Sequence, residues 1–218
     1  QILEVKILSA KDENGEVLFE NLSFVINKGD KVCFLANNQQ ALTYLYEILN
    51  NKKEPESGTF SFGQTIRHSY LPNENADYFN TNENLIDWLR NYAEEKDELY
   101  IRGFLGKMLF SGEEVLKSVN VLSGGEKVRC MLSRMMLLEG NLLMLNDPTN
   151  HLDLESIQSL NNSMKNFKGS ILFSSHDHEL NETVANRIIE ITPGDTHDKL
   201  MNYKEFLEFK GVRNEINI

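Results

Sequence analysis

Cysteine, proline and tryptophan are scarce in this chain, at 2, 4 and 1 of 218 residues. Two cysteines, Cys33 and Cys130, both inside apolar stretches, exclude a disulfide framework and read as small core residues, which fits a reducing cytoplasm. No apolar run approaches the roughly 18 residues of a membrane-spanning helix, so no membrane partner is expected. No internal repeat and no low-complexity segment occurs. Basic residues are outnumbered, 22 Lys and Arg against 33 Asp and Glu, for a net charge of −11. That balance repels bare nucleic acid, and no run of Lys or Arg along the chain is dense enough to overcome it. The chain opens on Gln1 with no cleavable leader, which leads to the expectation of a piece of a longer polypeptide.

What is present is ordinary globular material, 40% hydrophobic and 25% charged. A chain of this length buries a full core as one domain, with room for an inserted subdomain. Ile2–Leu8 alternates as a strand, Asn14-Gly15 signals a hairpin turn, and strands continue over Val17–Ile26. Lys31–Ala36 is apolar after its lysine, as a strand buried on both faces should be, and Gln40–Leu49 carries apolar residues at helical spacing. Thr59–Phe62 and Ile66–Leu71 read as short strands. Between about Asn73 and Val119 the composition turns to Asn, Asp and Glu, with amphipathic helices predicted at Asn84–Tyr92, Asp97–Met108 and Ser111–Ser118. Beyond it, helices over Gly125–Leu138 and Leu154–Phe167 alternate with strands at Leu142–Leu145, Ser170–Ser174 and Asn186–Thr192. This order implies a largely parallel sheet with helices on both faces.

Two motifs carry the chemistry. Leu122-Ser123-Gly124-Gly125-Glu126 opens a predicted helix. Asn146-Asp147-Pro148-Thr149-Asn150-His151-Leu152-Asp153 follows the apolar strand Leu142–Leu145. In that order the pair resembles the signature and Walker B segments of an ATP-binding-cassette ATPase. The wording Pro-Thr-Asn-His-Leu-Asp is similar to the ABC-F class, and the stretch Arg102–Ser111 and the ending around Tyr203–Leu207 look like that class too. The resemblance implies an α/β fold: a RecA-like P-loop core with an N-terminal antiparallel β subdomain and an inserted α-helical subdomain. The core would comprise 1–72 and 119–218, and the insertion 73–118.

A P-loop follows G-x-x-x-x-G-K-[ST], in which glycines let backbone N–H groups converge on phosphate and a lysine reaches its oxygens. Here that frame falls on Ala36, Asn37, Asn38, Gln39, Gln40, Ala41, Leu42 and Thr43. Both glycines and the lysine are replaced, and Thr43 keeps the hydroxyl that would face Mg²⁺. By resemblance, Asn146 stands where a magnesium-holding Asp belongs, and neutral Asn is a poor ligand for a hard cation. Asp147 stands where the catalytic Glu belongs, one methylene shorter. Asn73 replaces the Gln of the Q-loop, and no aromatic residue between Ile7 and Phe19 offers a platform for adenine. His176 resembles the switch histidine, and Asp153 the D-loop residue that reaches across a cassette pair. Ser123, Gly124 and Gly125 are intact, and in the family they complete an ATP site on the opposing cassette. Trp88 reads as a packing residue, and His68, His178 and His197 carry no motif.

The resemblance therefore implies ATP and Mg²⁺ as cofactors, with binding at this chain's own site in doubt. Its implied partners are a first cassette on the same polypeptide, and the ribosome and tRNA through parts outside this chain. Two alternatives stand beside that expectation: a fully active ATPase that binds Mg·ATP itself, and the cytoplasmic ATPase subunit of a membrane transporter.

Overall fold

The computed structural model describes residues 1–194 and 196–216. Strands β1 (Leu3–Lys11), β2 (Val17–Ile26) and β4 (Ser57–Phe62) form an antiparallel sheet in the order β2-β1-β4. Strands β3 (Lys31–Ala36), β5 (His68–Leu71), β6 (Leu142–Asn146), β7 (Ser170–Ser174), β8 (Arg187–Ile191) and β9 (Thr196–Lys199) form a second sheet, ordered β5-β6-β7-β3-β8-β9. All its pairings are parallel except β8 with β9. Helices α1 (Gln39–Leu49), α2 (Leu85–Arg90), α3 (Glu98–Lys107), α4 (Gly124–Leu137), α5 (Leu154–Asn166), α6 (His178–Val184) and α7 (Tyr203–Ile216) complete the chain. The architecture is thus an α/β core with an N-terminal β subdomain and an inserted helical subdomain.

The central strands are apolar through their middles because water reaches neither face. Every residue of β6, β7 and β8 is buried, as expected of parallel strands between helical layers. One apolar cluster joins α1 and the three-stranded sheet to one side of these strands, through Leu42, Leu45, Phe19 and Phe24. A second cluster covers the other side and runs into the insertion, through Trp88, Leu105, Met131 and Phe206. Trp88 is a packing residue, stacked on Phe79 with its Nε1–H donated to the Tyr78 carbonyl at 2.8 Å. Both cysteines are buried, and burial pushes their thiols up, so they are inert in place.

Two buried residues of β8 are charged, Arg187 and Glu190, and 8% of the Arg187 side chain is exposed. Arg187 pairs with Asp198 on β9, with Asp30 at 2.8 Å, and donates to the Val25 carbonyl of β2 at 2.7 Å. A cation is tolerated there because these partners satisfy its donors.

Three expectations change. Strand β1 runs to Lys11 rather than stopping at Leu8, with an irregular register around Ile7, whose φ is 45°. Gly58 permits that kink, since a Cβ there would sit 2.4 Å from the Ile7 carbonyl oxygen. The predicted helix at Ser111–Ser118 is a 3₁₀ segment, Gly112–Leu116, with Gly112 at φ 56° at its start. Finally α6, β9 and α7 were not foreseen, being too short or too weakly patterned to announce themselves.

Candidate functional site

The loop after β3 is nearly consumed by helix. Only Asn37 and Asn38 separate β3 from the helical residues, because β3 ends at Ala36 and α1 begins at Gln39. Asn38 is its N-cap, and its Oδ1 accepts the Gln40 N–H at 2.9 Å. Ala41 donates its N–H to the Asn38 carbonyl at 3.1 Å. A phosphate cradle needs free N–H groups at this point, and here residues with no glycine freedom close them into the first helical turn. Leu42 is 1% exposed and belongs to the apolar cluster beneath the β subdomain.

Thr43 and Asn146 meet directly. The Asn146 Nδ2 donates to Thr43 Oγ1 at 3.2 Å, and Ser174 Oγ donates to Asn146 Oδ1 at 3.3 Å. Asn146 is 4% exposed, so a buried polar chain occupies the place where the sequence put a magnesium shell. Burial pushes the neighbouring Tyr70 phenol up to about 12, with Asn146 opposing the shift. The lysine position is a core leucine, and the two candidate metal ligands include no carboxylate and satisfy each other.

Asp147 follows at φ 50°, held by its own N–H to the Ser174 carbonyl at 2.9 Å. Burial raises its carboxyl above the usual range, opposed by His176, by His151 and by the His176 backbone N–H. His176 is exposed and lines a cavity of about 270 Å³ with Ala36, Asn37, Gln39 and Leu42. Helix α7 closes that cavity with Tyr203, Phe206 and Lys210. Lys210 is ion-paired with Glu190, and the Tyr203 hydroxyl meets His178 Nδ1 at 2.8 Å. Sequence reasoning gave His178 no role, and only the fold of α7 back onto β8 reveals its contact.

On the other side of Asn146, a second cavity of about 250 Å³ is lined by Asn73, Gly124, Lys127, Asn146, Asp147 and His151. It exists because α4 runs back antiparallel to β6 in a crossover connection, bringing the signature to the end of the same chain's β6. Leu122 is buried, while Ser123 and Gly124 are exposed. Ser123 and Glu126 form a capping box: Ser123 Oγ accepts the Glu126 N–H at 3.2 Å, and Glu126 Oε2 accepts the Ser123 N–H at 2.9 Å. Lys117 pairs with Glu126 at 2.9 Å. The first N–H groups of the 14-residue α4 have no intrahelical acceptor and carry the positive end of its dipole.

Gly125 is required for a different reason from Gly124. A Cβ on Gly125 would lie 2.3 Å from the His151 carbonyl oxygen, whereas one on Gly124 meets the His151 side chain at 3.4 Å. His151 itself has φ 68°. Asp153 is exposed and caps α5, its Oδ1 accepting the Ser156 N–H at 2.8 Å, which holds its carboxyl below the usual range. Near β1 no ring takes the place of an adenine platform: Ile7 is 61% exposed and Phe19 is fully buried.

Comparison with known proteins places these features in a family. The ABC transporter family profile matches residues 19–150. The chain is 51% identical over 217 residues to a Bacillus subtilis protein described as "Uncharacterized ABC transporter ATP-binding protein YkpA". It is 36% identical over 211 residues to the "Probable ATP-binding protein YbiT" of Escherichia coli O157:H7. These matches cover 99% and 96% of the chain, but 40% of the length of each relative. Among solved structures, an ATP-binding subunit of an ABC transporter superposes with TM-score 0.80 at 21% identity, covering 98% of this chain and 95% of that one. That likeness establishes the RecA-like cassette fold. One expectation is corrected. The 51%-identical relative is described as a transporter ATP-binding protein, so the expectation of a first cassette on the same polypeptide, with ribosome and tRNA as partners, is withdrawn. No described helix is long and apolar enough to cross a membrane.

Proposed function

The chain belongs to the ABC transporter family of ATP-binding cassettes, and we propose that it is an F-class cassette whose signature helix serves nucleotide held on another cassette, while its own phosphate loop holds none. The observation that carries this reading is the hydrogen-bonded chain Thr43–Asn146–Ser174, which occupies the would-be metal position without a carboxylate. Burial of Leu42 supports it, since the phosphate-neutralising charge is missing. The motif wording Pro148–Asp153 supports the F class.

In this reading residues 73–118 are the inserted subdomain that presents the signature, and 1–72 with 119–218 are the core. The end of α4 offers what a partner's phosphate needs: exposed Ser123 and Gly124 at a helix N-terminus, with Lys127 beside them. Asp153 stands on the neighbouring turn. Asn73 lines the same cavity, and Asp147 and His176 are the remaining groups with acid–base capacity. Without Leu42 replaced and a carboxylate at 146, they face no ordered triphosphate.

A second reading is an active cassette, including the ATPase subunit of a transporter. It is favoured by the description of the 51%-identical relative and by the retention of Thr43, Asp147 and His176. Calorimetric titration of Mg·ATP separates the two. We expect no heat of binding up to millimolar nucleotide, and micromolar binding would put the active cassette first. Leu42→Lys alone should not create binding. It should lower stability by about 1–2 kcal/mol, since the stem stays in the core while the ammonium must reach the adjacent cavity. Thermal denaturation with and without Mg·ATP measures both effects.

A further inference from the structure

The end of the parallel sheet remote from the signature carries a cavity of about 570 Å³, lined by Ile2, Ile66 and Phe167 and rimmed by Lys28 and Lys168. We propose that this cavity binds a small amphiphilic anion, a flat apolar body bearing a single sulfonate, phosphate or carboxylate. This goes beyond the cassette reading and does not depend on it.

Charge is the first argument. The chain carries 33 acidic residues, yet no lining residue of this cavity is acidic. Lys28 and Lys168 are exposed and have no ion-pair partner among the described residues. Lys31 and Lys165 lie beside them and are joined, since Lys31 Nζ donates to the Lys165 carbonyl at 2.6 Å. Neither of these two lines the cavity, so the two rim lysines carry the site. The one carboxylate of the turn at 27–30, Asp30, is committed to Arg187. Lys28 and Lys168, from segments more than a hundred residues apart, thus meet at one rim, a juxtaposition the linear sequence does not show.

The walls are fixed before any ligand arrives. Asn141 holds two other segments: its Oδ1 accepts the Arg67 N–H at 2.8 Å, its Nδ2 donates to the Thr65 carbonyl at 2.9 Å, and its carbonyl accepts the Ser170 N–H at 3.0 Å. Ser170 Oγ accepts the Gly29 N–H at 2.9 Å, which anchors the turn bearing Lys28. Gly169 allows the close approach, as a Cβ there would lie 2.5 Å from both the Asn141 carbonyl oxygen and the Phe167 ring. A preformed cavity of several hundred Å³ with an apolar wall at Ile2, Ile66 and Phe167 has the dimensions of a small-molecule site. Two uncompensated ammonium groups select an anion over a neutral molecule of the same shape.

The test is a fluorescence titration of the native chain with 8-anilinonaphthalene-1-sulfonate, beside neutral N-phenyl-1-naphthylamine. We expect saturable one-site binding of the sulfonate, and binding of the neutral probe weaker by a factor of about ten. The double variant Lys28→Ala/Lys168→Ala should lose about tenfold in sulfonate affinity at unchanged Tm. Equal affinity for both probes, unchanged affinity in the double variant, or no saturable binding would each overturn the proposal.

Discussion

Gly125→Ala should cost about 3 kcal/mol and lower Tm by roughly 6–12 °C, while Gly124→Ala should be close to neutral. The two glycines are adjacent in one motif, so the contrast isolates the cause. At Gly125 the added methyl meets a backbone carbonyl, that of His151, at 2.3 Å. A carbonyl in a tight turn with φ 68° cannot rotate aside as a side chain can. At Gly124 the neighbour is an imidazole at ordinary contact distance, free to give by a few tenths of an ångström. Thermal unfolding of the two variants decides the matter. Equal destabilisation would mean that both glycines serve a backbone conformation, and that the packing of α4 against the turn after β6 is not what demands Gly125. If Gly125→Ala does unfold easily, the signature's second glycine has a role within its own cassette as well as any role toward a partner.

Asn146→Asp is expected to destabilise the protein by about 2–3 kcal/mol at pH 7.5, because it places a carboxylate at a position 4% exposed with no cation to meet it. The pH dependence follows from burial. The new carboxyl has a folded pKa above its unfolded value of about 3.9, so the protonated form favours the folded state. The variant should therefore match the native chain most closely below pH 4 and lose stability as pH rises through the folded pKa. Asp147, one residue on, already shows that direction, with burial as the leading cause. Denaturant titrations at several pH values measure the effect. Millimolar Mg·ATP should not restore the loss, because Leu42 still leaves the phosphates without a charge. Full rescue by Mg·ATP would show that the loop can still cradle a triphosphate, and would favour the active-cassette reading.

The sequence by itself determined the family, the order of strands and helices through the core, and the identity of the altered positions. Those features are local: apolar runs fix the buried strands, and Leu122–Glu126 with Asn146–Asp153 are contiguous words whose meaning survives without coordinates. It also exposed the missing lysine, since Leu42 is legible at a fixed offset from a strand. Local patterning failed where helices were short or irregular, at the 3₁₀ segment after Ser111, at α6 and at α7. Only the tertiary structure decided what surrounds Asn146. The sequence could say that Asn146 is neutral, but not that it bonds to Thr43, 103 positions away. Likewise it could count lysines and find no cluster, because Lys28 and Lys168 become neighbours only when β3 and β7 pair side by side. Residue type and spacing are properties of the chain, whereas charge density and close contact are set by which strands the sheet brings together.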